Sequence, residues 1–355
     1  MKKIVILGST GSIGRQTLEV VRSNPDHFKV VGLSANKNAE LFDVQCKEFL
    51  PKYFVLTSKC DDPQSELEEL ARLSEADLIV NAITGIAGLY STLAAVSAGK
   101  KLALANKESI VMAGELVMDL VRKNGAEILP IDSEPSAIWQ ALFGRDICDV
   151  EKITLTASGG PFWGRSREAL KDVTPKQAVA HPTWSMGEKI SVDSATLINK
   201  GFEIIETRWL FDFPCEKIDV SIHKQSLVHA LVHFNDGNVS AVMSPSDMRV
   251  PISHALFYPQ RSENKLPRVD FSKLSLSFEE PDYSVFEGVK IAYDVLKQGG
   301  VMPAVFCMAD EIAVNKFLRG EIGFLQIFDE VKRALERVKN RPLNLEALID
   351  IQNEL

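Results

Sequence analysis

The sequence predicts an α/β protein: a Rossmann-like doubly wound parallel sheet, then an α+β domain, then a small C-terminal helical domain. Three observations predict it. Residues 3–7 form a β-branched run that meets Gly8 and passes directly into a helical pattern, the strand–turn–helix unit that opens such sheets. Strand-like segments at 28–33, 77–82 and 101–104 then alternate with helical ones. Beyond Pro281 the pattern becomes purely amphipathic and helical, at 285–298, 303–319 and 324–340, with Met302, Phe306 and Met308 as core residues.

A chain of 355 residues accommodates two or three cores, and the divisions expected are 1–149, 150–257, a linker at 258–282 rich in Pro, Ser and charge, and 283–355. With 45% hydrophobic and 25% charged residues and no low-complexity tract, the composition is that of an ordinary globular protein. A net charge of -8 with intermixed signs argues against a nucleic-acid surface, so an anionic ligand must be met by a local cluster of donors. Cys46, Cys60, Cys148, Cys215 and Cys307 form no CxxC pair, which fits reduced thiols in the cytoplasm. No apolar run approaches the roughly 20 residues that span a bilayer, and Met1-Lys2-Lys3 leads into a strand with no room for a signal peptide.

The first strand ends in Gly8-Ser9-Thr10-Gly11-Ser12-Ile13-Gly14, and the following helix turns Ile13, Thr17, Val20 and Val21 to one face before stopping short of Pro25. Free N–H groups at that helix start suit a pyrophosphate, with Gly8, Thr10, Gly11, Ser12 and Ile13 around it. The spacing is GxxGxxG rather than GxGxxG, which by itself fits a tight structural turn as well. The end of the second strand should select the cofactor. It reads Ser34-Ala35-Asn36-Lys37-Asn38, without the carboxylate that accepts from a ribose 2′-hydroxyl. Lys37 beside Ser34, Asn36 and Asn38 favours NADPH over NADH, the alternative being a solvated loop lysine.

Asp132 and Glu134 follow a strand expected at 127–131, where period-two alternation would aim both carboxylates the same way, and Glu203 is expected to open a helix at 203–211. Three convergent carboxylates call for a hard cation such as Mg²⁺ or Mn²⁺. Taken alone, Asp-x-Glu also fits a capped turn, and Glu203 a first-turn residue complementing the helix dipole. Lys107 lies just beyond the carboxyl end of a strand, where ligands bind in open α/β sheets; a structural salt bridge to Glu108 is its bland alternative. Ser158-Gly159-Gly160 can form an anion nest, and Ser194, Asn199 and Lys200 add donors suited to a phosphate monoester. Trp184, between His181-Pro182 and Gly187, suits a lid, although Trp is more often a core residue. His223, His229 and His233 sit among strands expected at 217–244 and lack the helical HxxxH context of a zinc site.

The glycine turn, Leu104-Ala-Asn-Lys-Glu-Ser109, Asp132-Ser-Glu134, Ser158-Gly-Gly-Pro-Phe162 and the polar stretch from His181 to Glu203 occur in an order that resembles the 1-deoxy-D-xylulose 5-phosphate reductoisomerase family through roughly the first two-thirds of the chain. The resemblance makes residues 150–257 an α+β catalytic domain and implies Asp132, Glu134 and Glu203 as metal ligands, with Co²⁺ as a further candidate ion. It implies catalytic roles for Lys107, Glu134 and Lys200, with Ser133, Lys107 and Lys200 contacting the substrate. Ser158, Ser194 and Asn199 then hold a phosphate with help from His181, Trp184 closes over it, and Asn106, Glu108, Gly187 and Met248 lie by the nicotinamide end of the cofactor. The implied reaction isomerises and reduces a phosphorylated sugar in isoprenoid biosynthesis, in a cytoplasmic homodimer. Two departures stand out: Asn36 replaces a common Gly, and Pro135-Ser136 replaces His-Asn. The rival readings are another metal-dependent NADPH reductase of a phosphorylated sugar, such as a homoserine-dehydrogenase-like or sugar-acid enzyme, and a non-catalytic NADPH-binding regulator.

Overall fold

The computed structural model describes every residue except Ser185, Asn264 and Pro267. The chain forms two compact units, Met1–Ser109 with Glu115–Ser136 and Met248–Leu266, and Ile110–Gly114 with Ala137–Asp247 and Pro267–Leu355. Helix Arg249–Phe257, which the sequence divisions place in the second domain, groups with the first unit.

The first unit is built on β1 (Lys2–Leu7), β2 (Phe28–Ala35), β3 (Tyr53–Leu56), β4 (Leu78–Asn81), β5 (Lys101–Leu104) and β6 (Glu127–Pro130), in the order β3-β2-β1-β4-β5-β6. Every pairing is parallel. Such a sheet is covered on both faces, which is why the central strands are continuous apolar runs: Ile4 through Leu7 and Ile79 through Val80 are fully buried. The crossovers are α1 (Ser12–Arg22), α2 (Ala39–Phe49), α3 (Pro63–Ala71), α4 (Ala87–Ser97) and α5 (Lys107–Asn124). Strand order reverses between β1 and β4, and the carboxyl ends on either side of such a switch point are where ligands bind. The edge strand β3 is too short to have been read from the sequence, and β2 runs two residues past the expected 28–33, bringing Ser34 into the sheet.

In the second unit, α6 (Ser133–Ala141), which starts in the first, leads to β7 (Val150–Ala157), α7 (Pro175–Ala178), α8 (Glu188–Thr196), α9 (Ile198–Leu210), β8 (Ile218–Ile222), β9 (Val228–Phe234) and β10 (Val239–Met243). The sheet order is β10-β9-β7-β8, parallel between β7 and β8 and antiparallel elsewhere. His229 and His233 lie in β9 and His223 just beyond β8, as expected. After α10 (Arg249–Phe257), whose Phe257 packs edge-on to Phe28 at 4.8 Å, come α11 (Gly288–Gln298), α12 (Met302–Leu318), α13 (Gln326–Arg337) and α14 (Leu345–Glu354). Met302, Phe306 and Met308 are core, as expected, while α14 adds a helix beyond the three amphipathic segments. Positions 264 and 267 of the expected linker lie outside the described residues; the rest of 258–282 holds one short 3-10 turn, Phe271–Lys273, and a bridge from Glu279 to Ile222.

Helices α9 and α11 cross at two glycines. A Cβ on Gly201 would stand 2.7 Å from the Gly288 carbonyl oxygen, and one on Gly288 2.6 Å from the Ile198 nitrogen. The helix expected to open at Glu203 in fact begins at Ile198, so Glu203 is an interior residue and the dipole-complementing alternative falls.

Candidate active site

The glycine turn after β1 is held from three directions. Gly8 has a φ of +81°, and a Cβ there would stand 2.8 Å from the Ala82 carbonyl oxygen at the end of β4. On Gly14 a Cβ would come within 2.2 Å of the Gly8 oxygen, so the turn folds back on its own helix as only glycine allows. Ser34 is 1% exposed; its backbone oxygen accepts from the Gly8 and Ser9 N–H groups at 3.1 and 2.8 Å, and its Oγ accepts from Gly8 at 3.1 Å. The hydroxyl expected near a ribose phosphate thus lies inside the sheet, holding the turn. Thr10, Ser12 and Ile13 are half-buried at the start of α1, and Gly11 is exposed. Asn36, Lys37 and Asn38 are exposed at the start of α2, which Asn38 caps by accepting the Leu41 N–H at 3.1 Å.

Beyond β5 the chain turns directly into α5. Lys107, the first residue of that helix, is buried and forms an ion pair with Asp132. Glu108 accepts from the Gly85 N–H at 3.2 Å and the Asn106 side-chain amide at 3.0 Å, while that amide also donates to the Gly85 carbonyl at 2.9 Å. Asn106 and Glu108 therefore fix the loop after β4. Strand β6 ends at Pro130, so Asp132 and Glu134 are not aligned by strand alternation. Asp132 precedes α6, and Ser133 and Glu134 lie in its first turn, with the Ser133 hydroxyl donating to Glu134. Pro135 is tolerated there because a first-turn N–H has no partner within the helix.

In the second unit, Ser158 follows β7, and Gly159 and Gly160 take φ values of +83° and +65°. A Cβ on Gly160 would lie 3.0 Å from the Ser194 carbonyl oxygen, which places this loop against the end of α8. His181 Nδ1 accepts the backbone N–H groups of Trp184 at 2.9 Å and Thr183 at 3.2 Å, so its proton resides on Nε2, 2.8 Å from Ser158 Oγ. Burial pushes the His181 imidazole down to about 4, which keeps it neutral near pH 7. Ser158 Oγ also accepts from Gly160 N–H at 3.2 Å, leaving the hydroxyl hydrogen to donate to an anion. Leu197, at φ +58°, joins α8 to α9 and sets Ser194 close before Asn199 and Lys200. The Asn199 amide donates to Glu203 at 2.5 Å, and Lys200 forms a buried ion pair with the same carboxylate. Trp184 is half-buried, its ring 6.1 Å from that of His229; Gly187 is exposed at the N-cap of α8, and Met248 half-buried before α10. Ser185, within the expected lid, lies outside the described residues.

Asp132 and Glu134 stand at the start of α6 in the first unit, and Glu203 is buried within α9 of the second. The donors are all hard oxygens, the set a small divalent cation prefers. Sequence reading missed Lys107 as the partner of Asp132, since the pairing spans elements. It also missed an ion cluster in which Lys189 Nζ lies 2.7 Å from both Asp193 and Asp310. The i,i+4 spacing of Lys189 and Asp193 was visible; the third member, on α12, was not.

Residues 4–66 and 60–114 match the family described as 1-deoxy-D-xylulose 5-phosphate reductoisomerase, residues 128–211 its C-terminal domain and residues 243–355 the DXP reductoisomerase C-terminal domain. The 1-deoxy-D-xylulose 5-phosphate reductoisomerase of Thermodesulfovibrio yellowstonii is 47% identical, over 96% of this chain and 93% of its own. That of Caldanaerobacter subterraneus is 48% identical over the same shares, 96% and 93%. Among solved structures, the Zymomonas mobilis enzyme in complex with NADPH superposes with a TM-score of 0.90 at 40% identity, covering 99% of this chain and 96% of that one. A DOX-P reductoisomerase in complex with NADPH, fosmidomycin and magnesium gives 0.93 at 36% identity, covering 100% and 96%.

Proposed function

The chain belongs to the 1-deoxy-D-xylulose 5-phosphate reductoisomerase family, and from that premise we propose how its residues divide the work of an NADPH-dependent oxidoreductase. The reaction is the metal-dependent isomerisation and NADPH reduction of 1-deoxy-D-xylulose 5-phosphate to 2-C-methyl-D-erythritol 4-phosphate. What supports the residue assignment is a donor set made wholly of hard carboxylate oxygens, with Asp132 and Glu134 at the start of α6 and Glu203 buried within α9. Asp132, Glu134 and Glu203 hold Mg²⁺ or Mn²⁺, and the turn from Gly8 to Ile13, with Lys37 at the 2′-phosphate, holds NADPH. Bound there, the cation supplies Lewis-acid polarisation of adjacent carbonyl and hydroxyl oxygens, and NADPH supplies hydride.

The protein's own part is positioning and proton control. Lys107 and Lys200, each paired with a carboxylate, present ammonium hydrogens to the substrate oxygens, and Ser133 adds a hydroxyl. Ser158, its lone pairs occupied by His181 and Gly160, donates to the phosphate. Ser194 and Asn199 donate alongside it, and neutral His181 assists without adding charge. Trp184 covers the bound substrate and excludes water. Asn106 and Glu108, with Gly187 and Met248, serve the nicotinamide end. The enzyme works as a cytoplasmic homodimer, and measuring its mass in solution tests the oligomeric state.

The test is to incubate the protein with NADPH, 1-deoxy-D-xylulose 5-phosphate and Mg²⁺, Mn²⁺ or Co²⁺ and to follow absorbance of the reduced nicotinamide. Metal-dependent oxidation with the branched polyol phosphate as product supports the reading. Oxidation with a different sugar phosphate alone would favour another reductase, and NADPH binding without turnover under any metal a regulator.

A further inference from the structure

Within the glycine turn, Ser9 has all of its polar groups occupied. Its N–H donates to the Ser34 oxygen at 2.8 Å, its hydroxyl donates to Gln45 Oε1 at 2.7 Å, and its carbonyl accepts from Gln45 Nε2 at 3.0 Å. The amide orientation follows from chemistry, since a carbonyl can only accept and must face the NH₂ group. Both residues are buried, Ser9 at 0% and Gln45 at 4% exposure, so these bonds are shielded from bulk solvent. Gln45 belongs to α2, the helix whose first turn is capped by Asn38 and preceded by Lys37. The helix that carries a clamp on the pyrophosphate turn is thus joined, through its Asn38 cap, directly to the lysine assigned to the 2′-phosphate.

We propose that Gln45 is a positioning residue that sets the enzyme's discrimination between NADPH and NADH without touching either. This deepens the cofactor assignment above and rests on it. A ligand gripped at two points gains from the second only if the spacing between them is fixed in advance. NADPH uses both the turn and Lys37, whereas NADH uses the turn alone. Releasing Gln45 from Ser9 lets α2 shift against the turn, and the loss falls mainly on the ligand that needs both.

The experiment measures KM and kcat for NADPH and NADH in the holoenzyme for Gln45→Met, Ser9→Ala, Lys37→Ala and the Gln45→Met/Lys37→Ala double variant. Gln45→Met should lower the NADPH-to-NADH ratio of kcat/KM by about threefold to tenfold, the range one or two neutral hydrogen bonds command. The change should appear in KM, with kcat at saturating NADPH near wild type. In the double variant the ratio should fall no further than in Lys37→Ala alone, because a lysine that is absent cannot be misplaced. Ser9→Ala removes one bond and little volume, and reads the same ratio should Gln45→Met fail to fold. An unchanged ratio in a folded Gln45→Met or Ser9→Ala protein, or strictly additive losses in the double variant, overturns the proposal. An unchanged ratio in Lys37→Ala overturns instead the assignment on which it rests, so the two failures are separately visible.

Discussion

At the scale of single residues, the site is built from groups whose protonation is set by their neighbours. His181 ionises at about 4 in the folded chain, against 6.5 for a solvated imidazole, because burial disfavours its charged form. Between those values the unfolded chain binds a proton that the folded chain refuses, so this residue makes stability fall as pH drops through that window. His181→Gln should flatten the fall in melting temperature from pH 6.5 to 4. His254, also pushed down to about 4 by burial and then by Arg261, keeps part of the slope in that variant. A variant whose acid profile matches wild type would show that His181 is free to protonate. Asp132→Asn, Glu134→Gln and Glu203→Gln should each remove metal-dependent turnover, while NADPH still binds because the glycine turn is separate. Calorimetric titration with Mn²⁺ and with NADPH distinguishes the two, and near-normal turnover at low metal in any one variant would strike that residue from the ligand set.

At the scale of elements, helix α8 is fixed at one end by charge and carries a loop at its start. Lys189 sits between Asp193 and Asp310, whose side chains are 4% and 0% exposed, so Lys189→Met removes a cation that two buried carboxylates share. Breaking a buried ion pair by removing one member costs about 3–5 kcal/mol, which chemical denaturation would detect; a change within about 0.5 kcal/mol would mean the cluster is compensated elsewhere. The segment before α8 should behave oppositely. Trp184→Ala should lower turnover and affinity for a phosphorylated substrate analogue with little change in melting temperature, whereas truncating a core Trp costs about 3–5 kcal/mol. These elements also show what could be read from the sequence. The β-branched run into Gly8 and the strand 101–104 were legible because a local pattern alone specifies them. The start of α9 was not, since Leu197 and Ile198 carry no capping side chain and the break depends on a left-handed backbone at Leu197. The convergence of Asp132 and Glu134 was expected for the wrong reason, because a helix start and not a strand aligns them. Pairings such as Lys107 with Asp132 or Lys189 with Asp310 lie far apart in sequence and leave no periodic signal.

At the scale of the whole molecule, the family relation extends over nearly all of the chain, and so does the dependence of the site on distant parts of it. The enzyme should elute at the mass of two chains in light scattering, and a mass of one chain at micromolar concentration would remove the homodimer from the proposal. Helix α9 bears Asn199, Lys200 and Glu203, and its other side meets α11 with only glycine hydrogens between the backbones. This bears on how the gene can be cut. A polypeptide ending before Gly288 would not be a smaller catalyst: it would leave α9 with one face bare, and it should aggregate or be degraded. A polypeptide merely nicked between residues 268 and 276 keeps both halves of that glycine crossing, so the two fragments should purify together and retain activity. The protein should tolerate being split where it cannot tolerate being shortened.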